Sequence, residues 1–170
     1  MTAERHVITQ GEHRALANAD AVISTLLGSC VACCLWDETA GVGGMNHMLL
    51  ASSTGRNGIC DLAGVNAMEL LINDLLKLGA MRHRLKAKAF GGAQMVSGLS
   101  DIGPRNARFV LGFLEQEGIP CLSSSLGGQD ALHVLFTPAT GAVRLRRQTT
   151  GIPEVIVPVT APAGNDLELF

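Results

Sequence analysis

Apolar residues in this chain recur at two spacings, and their succession outlines the elements of the fold. Short apolar or alternating runs at His6 to Gln10 and Ala21 to Leu27 predict strands, with a polar, turn-rich segment around Gly11-Glu-His-Arg and Asn18-Ala-Asp20 between them. Thr25 to Trp36 is apolar apart from a Gly-Ser step. Asp37-Glu-Thr-Ala-Gly41 reads as a turn, and Val42 to Leu50 returns as a second apolar run, so the three together predict a β-hairpin. After a loop at 52–58 the period changes. Leu62, Val65, Met68, Leu71, Ile72, Leu75 and Leu76 recur at helical spacing over Asp61 to Leu78, with Gly79 suited to the position just past the helix end. Leu85 to Phe90 alternates and predicts a half-buried strand, ended by Gly91-Gly-Ala-Gln-Met95. A second helix is expected from Pro104 to Glu117, with Phe109, Val110, Phe113 and Leu114 on its buried side. Ile119 to Ser123, Leu132 to Thr137 and Ala142 to Gln148 predict three closing strands, separated by Leu126-Gly-Gly-Gln-Asp130 and Pro138-Ala-Thr-Gly141.

This order predicts an α+β fold, a layered sandwich of mostly antiparallel sheet with two main helices. A length of 170 residues suits one core. The predicted domain spans 1–148. From 149 to 170 runs a Pro-containing tail, in which three of the six prolines interrupt an apolar, non-periodic stretch, so an irregular terminus is expected, the alternatives being a segment packed along the domain or docked on a partner.

Composition narrows the function classes. An apolar fraction of 47% with 16% charged residues describes a folded chain, and a net charge of −2 without a long basic run argues against binding driven by nucleic-acid phosphates. The first residues lack a signal-peptide pattern, and no apolar run is long enough to span a bilayer, so a cytoplasmic protein is expected. The five cysteines are then expected as thiols. Cys30-Val-Ala-Cys33 matches C-x-x-C, but on a strand its two cysteines point to opposite faces. With no second such pair, neither a redox pair nor a structural zinc site is expected, and Cys33 reads as core. No cofactor is implied.

The hairpin supplies candidate chemistry. The point halfway between Cys30 and His47 falls in the turn, so a regular hairpin would set the thiol opposite the imidazole on one face. A thiol facing an imidazole is the minimum equipment for cysteine-nucleophile hydrolysis. A bulge at Gly43-Gly44 would shift that register. Against this stand the readings of Cys30 as an apolar core thiol and of His47, flanked by Met45, Met48 and Leu49, as a core histidine. Backbone N–H groups near Gly28, Ser29 and Cys30 are candidate oxyanion donors.

Leu27-Gly-Ser-Cys30-Val-Ala, followed by Gly43-Gly-Met-Asn-His47-Met-Leu, resembles the CheD family of chemoreceptor glutamine deamidases. The likeness continues through Met68-Glu-Leu-Leu-Ile72, Lys88-Ala-Phe-Gly-Gly-Ala-Gln-Met95, Ile102-Gly-Pro-Arg-Asn106, Leu126-Gly-Gly128 and Pro138-Ala-Thr-Gly141, and so covers about residues 20–147. It implies a fold related to the catalytic domain of cytotoxic necrotizing toxins and conversion of receptor glutamines to glutamates. It also implies a cysteine–histidine pair with an upstream hydroxyl, and no metal or organic cofactor. Cys30 and His47 match the pair. The hydroxyl position corresponds to Ser24, with Thr25 its neighbour and possible equivalent; the shared parity of 24 and 30 favours Ser24 on a regular strand, and Gly28 could break that parity. The implied partners are the cytoplasmic parts of methyl-accepting receptors and a CheC-type phosphatase. Ser125 and Gln129-Asp-Ala-Leu-His133 depart from the family pattern, as does the absence of tyrosine.

Other features have plainer readings. Gly91-Gly92 and Gly127-Gly128 match no phosphate-loop pattern and read as turns. Gln94 is a candidate for the pocket or for a loop cap. Arg105 and Asn106 suit either a pocket or helix-start packing. Arg82-His-Arg84 and Arg144-Leu-Arg-Arg147 read as solvated basic clusters. A non-catalytic chemotaxis adaptor, binding receptors or the CheC-type phosphatase, is the alternative to the deamidase.

Overall fold

Two sheets stacked on one another, with two helices on the outer face of the second, put the central strands of the second sheet between two apolar layers, while the first sheet buries one face. A computed structural model describes residues 2–50, 59–94, 101–148 and 167–170. The predicted loop at 52–58, Met95 and the Pro-rich stretch at 152–164 lie outside the described residues.

The first sheet has the order β1-β3-β8-β9-β10, formed by Glu4–Val7, Ala21–Leu27, Ala131–Thr137, Ala142–Gln148 and Leu167–Leu169. The second has the order β2-β5-β4-β6-β7, formed by His13–Leu16, Val42–Asn46, Val31–Asp37, Lys86–Gly91 and Cys121–Leu126. Pairing is antiparallel except at β1–β3 and β6–β7, so the sheets are mixed. Helices α1 (Ile59–Lys77) and α2 (Ile102–Glu117) lie against β2, β4, β5, β6 and β7. Among the described residues no helix is long and apolar enough to cross a membrane.

Strand alternation divides the core in two. Ile23 and Leu27 meet Ala32, Cys34, Trp36, Val134 and Phe136 between the sheets. Val31, Cys33 and Leu35 point the other way, onto Met68, Leu71, Ile72 and Leu75 of α1 and Val110 and Leu114 of α2. Cys30 and Cys33 therefore belong to different layers, as expected of positions three apart on a strand.

Several expectations change. His13–Leu16 is an edge strand on β5 and not part of a turn, because His13 and Ala15 alternate inward with Arg14 outward. On α1, Leu62, Val65 and Leu76 are exposed, since the buried stripe is the narrower one through Met68, Leu71, Ile72 and Leu75. The Arg82–Arg84 cluster is not simply solvated. Arg82 bridges Glu69 of α1 and Glu117 of α2, and Arg84 binds the buried carboxylate of Asp37 at 2.9 and 3.1 Å. At the chain end β10 pairs with β9, and the Phe170 ring packs edge-on against Phe90, where an irregular terminus was expected.

Candidate active site

The hairpin forms, but its register differs from the symmetric one. Cys34 lies opposite Met45 and Trp36 opposite Gly43, with no bulge at Gly43-Gly44. The cause is Asp37, which belongs to the strand. Its carboxylate accepts the Ala40 N–H and its carbonyl the Gly41 N–H, so the turn is centred one residue later than the sequence suggested. His47 accordingly lies across from Ala32, and Cys30 sits just before β4, flanking the Val31–Met48 bridge diagonally. Alternation still directs both residues to the layer between the sheets, away from Val31 and Met48. The site is thus at one end of the sandwich.

Thr25 reaches His47 from the first sheet. Its Oγ1 lies 2.7 Å from His47 Nδ1 and 2.7 Å from the carbonyl oxygen of Ile8. A hydroxyl has one proton, and a carbonyl can only accept, so that proton goes to Ile8. Nδ1 must then carry the proton donated to Thr25, which leaves the Nε2 lone pair of neutral His47 free to act as a base. Ser24, on the other face of β3, instead accepts a hydrogen bond from Arg5 Nε at 3.2 Å. The parity argument from 24 to 30 fails because β3 ends at Leu27 and the chain bends through Gly28 to Cys30 into the other sheet.

That bend is held from one side. The carbonyls of Gly28, Ser29 and Cys30 accept hydrogen bonds from Ala93 N–H at 3.0 Å, Asn106 Nδ2 at 2.7 Å and Gly92 N–H at 2.8 Å. Gly91 and Gly92 have positive φ, and a Cβ on Gly91 would lie 2.2 Å from the Cys30 carbonyl oxygen. These glycines therefore let the end of β6 run directly beneath the cysteine turn. The Gln94 N–H bonds the Gly128 carbonyl at 2.8 Å, joining this platform to the Gly127-Gly128 turn. The backbone of His47 is clasped by Gly11 N–H and the Glu12 carbonyl. Cys30 Sγ approaches Gln10 Oε1 at 4.0 Å.

Among the described residues neither Cys30 nor His47 is ion-paired. Burial pushes the Cys30 thiol above its ordinary value. Burial likewise lowers the His47 imidazole below 6.5, with the Glu12 carboxylate a smaller opposing influence. The resting pair is therefore neutral thiol and neutral imidazole. Among the described residues no group of three or more His, Cys, Asp or Glu side chains is placed to hold a metal ion.

Sequence reasoning missed two contributors. Asn106, fully buried, was not separated from ordinary helix-start packing. Gln10 was placed on a strand and carries no motif.

Comparison with known proteins adds relatives. The family model described as CheD chemotactic sensory transduction matches residues 49–147, beginning just after His47. A Ruegeria protein named "Probable chemoreceptor glutamine deamidase CheD 1" is 54% identical over 81% of this chain and 73% of its own length. "Probable chemoreceptor glutamine deamidase CheD" proteins of Caulobacter sp. K31 and Agrobacterium fabrum are 50% and 45% identical, over 96% and 99% of this chain and 91% and 97% of theirs. Among solved structures, a Neisseria meningitidis protein, NMB0706, overlaps 69% of this chain and 53% of its own at 11% identity and a TM-score of 0.46.

Proposed function

The chain belongs to the CheD family, and on that premise we propose that it hydrolyses the side-chain amide of glutamine residues in chemoreceptors, with Cys30 as nucleophile and His47 as acid–base. The observation that carries this reading is the Thr25 hydroxyl, whose single proton is committed to Ile8, so that His47 keeps its Nε2 lone pair free while both it and Cys30 face the layer between the sheets.

In this mechanism Nε2 takes the Cys30 proton as Sγ bonds to the amide carbon, and the carbonyl oxygen becomes an oxyanion received by backbone N–H groups of the Ser29–Cys30 turn. The imidazolium returns the proton to the departing nitrogen, the C–N bond breaks, and ammonia leaves a thioester. Nε2 then deprotonates water, which attacks the thioester carbon. Glutamate and the free thiol result, with one water consumed and one ammonia released. Because both groups rest neutral, proton transfer accompanies attack, and His47 acts as a general base instead of the partner of a standing thiolate. Thr25 holds the imidazole in the required tautomer.

The test is incubation with the cytoplasmic fragment of a chemoreceptor, reading glutamine-to-glutamate conversion by peptide mass spectrometry. The expected result is conversion by the native chain and none by Cys30→Ala. A fragment that binds but is not converted would refute the deamidase and favour a non-catalytic adaptor.

A further inference from the structure

Asn106 joins the two arms of the candidate site although it lies far from both in sequence. Helix α2 starts at Ile102, and its second residue, Gly103, presses on the end of β6. A Cβ there would lie 2.3 Å from the Ala93 carbonyl oxygen and 2.5 Å from that of Gly92. Glycine at 103 thus lets the first turn of α2 sit directly on the Gly92–Ala93 backbone. One turn further on, Asn106 is fully buried, and both ends of its amide are engaged. Nδ2 donates to the Ser29 carbonyl at 2.7 Å, and Oδ1 accepts the Leu50 N–H at 3.1 Å. The orientation of the amide is dictated by its partners, since a carbonyl can only accept and a backbone N–H can only donate.

The consequence follows from peptide geometry. The Ser29 C=O and the Cys30 N–H belong to one planar trans peptide and point in opposite directions. Fixing the carbonyl on Asn106 therefore fixes the direction of the Cys30 N–H. We propose that Asn106 is a positioning residue that aims the Cys30 N–H at the developing oxyanion by holding the other end of the same peptide plane. This rests on the deamidase reading and extends it with a specific device. The Leu50 contact serves the same end, tying the chain just beyond His47 to the helix that holds the cysteine turn.

The test separates oxyanion stabilisation from thiol access. Asn106→Ala and Asn106→Asp are made in a chain with Cys60 and Cys121 replaced by serine, and folding is checked by thermal melts. Two rates are then compared: glutamine conversion, which forms an oxyanion, and iodoacetamide alkylation of Cys30, which forms none. Losing one oxyanion donor outright costs about 10²–10³ in kcat, so mis-aiming one is expected to cost about ten- to a hundredfold, with KM changed less than about threefold. Alkylation is expected to stay within about twofold. Asn106→Asp keeps the Leu50 contact but turns a carboxylate oxygen onto the Ser29 carbonyl. Once protonated that oxygen can donate, so its kcat deficit relative to the parent should narrow as the pH falls.

A kcat unchanged in both variants, or a fall in conversion matched by an equal fall in alkylation, would overturn the proposal. So would an Asn106→Asp deficit that does not vary with pH if Asn106→Ala does not fold. Absence of conversion by the parent chain would instead overturn the deamidase reading, and this inference with it.

Discussion

The two ends of β4 both carry buried ionisable groups, and they treat them in opposite ways. At the turn end, burial would push the Asp37 carboxyl up, but the Met81 and Ala40 N–H groups and the Arg84 guanidinium outweigh it and hold it below 3.8. The charge is kept and locked. At the Cys30 end no guanidinium or ammonium faces the thiol in the described contacts, and burial acts unopposed on Cys30, raising it, while lowering His47 against only a smaller pull from Glu12. A buried charge that is fully bonded fastens a turn. A buried pair left neutral keeps a proton to transfer, and that distinguishes the candidate catalytic end from the structural one.

The greatest loss of stability is expected at the fastened end. Asp37→Ala leaves Arg84 without its carboxylate, and loss of one partner from a buried pair costs about 3–5 kcal/mol. Chemical denaturation should show this as a lowered midpoint, while conversion below the melting temperature stays near normal. Its pH dependence has a definite sign. Because the folded-state value is depressed, the Asp37 contribution is present above the ordinary 3.8 and is lost as the pH falls from there through the folded value. A pH series of melts should therefore find the difference between parent and Asp37→Ala shrinking only in that acid range.

A smaller effect sharpens the other end. Thr25→Val removes the acceptor for His47 Nδ1–H, and the loss of about 1.4 kcal/mol of buried hydrogen bonding corresponds to about a tenfold fall in kcat. Ser24→Ala touches only the Arg5 contact and should leave kcat within about twofold. Steady-state conversion assays on the two variants decide between adjacent hydroxyls. The smallest expected effect is on thiol chemistry alone: alkylation of Cys30 near neutral pH should be no faster than that of a free cysteine, and should rise only in the alkaline range, since burial raises the thiol.

Much of the fold was legible because periodicity reports burial directly. The observed limits of β3 and β9 coincide with the predicted Ala21 to Leu27 and Ala142 to Gln148. The edge strand at His13–Leu16 was not legible, since four residues with a single outward arginine look like a polar turn. At the site, Cys30 and His47 stood out by residue type, but their register did not. It depends on the Asp37 carboxylate closing its own turn, a contact without a periodic signal. The sequence left Ser24 and Thr25 both open for a related reason: counting faces from 24 to 30 assumes one continuous strand, and the chain changes sheets between them. Asn106 acts across 77 residues on Ser29 and 56 on Leu50, a relation that only the seating of Gly103 on β6 creates.

The neutral thiol–imidazole pair is the centre of this account, and nitrogen NMR of His47 in the native chain tests it most directly. With the imidazole labelled, His47 is expected as a neutral Nδ1–H tautomer at pH 7, titrating below 6.5. An imidazolium at pH 7 that persists to alkaline pH and disappears in Cys30→Ala would mean a standing thiolate–imidazolium pair, and would contradict it.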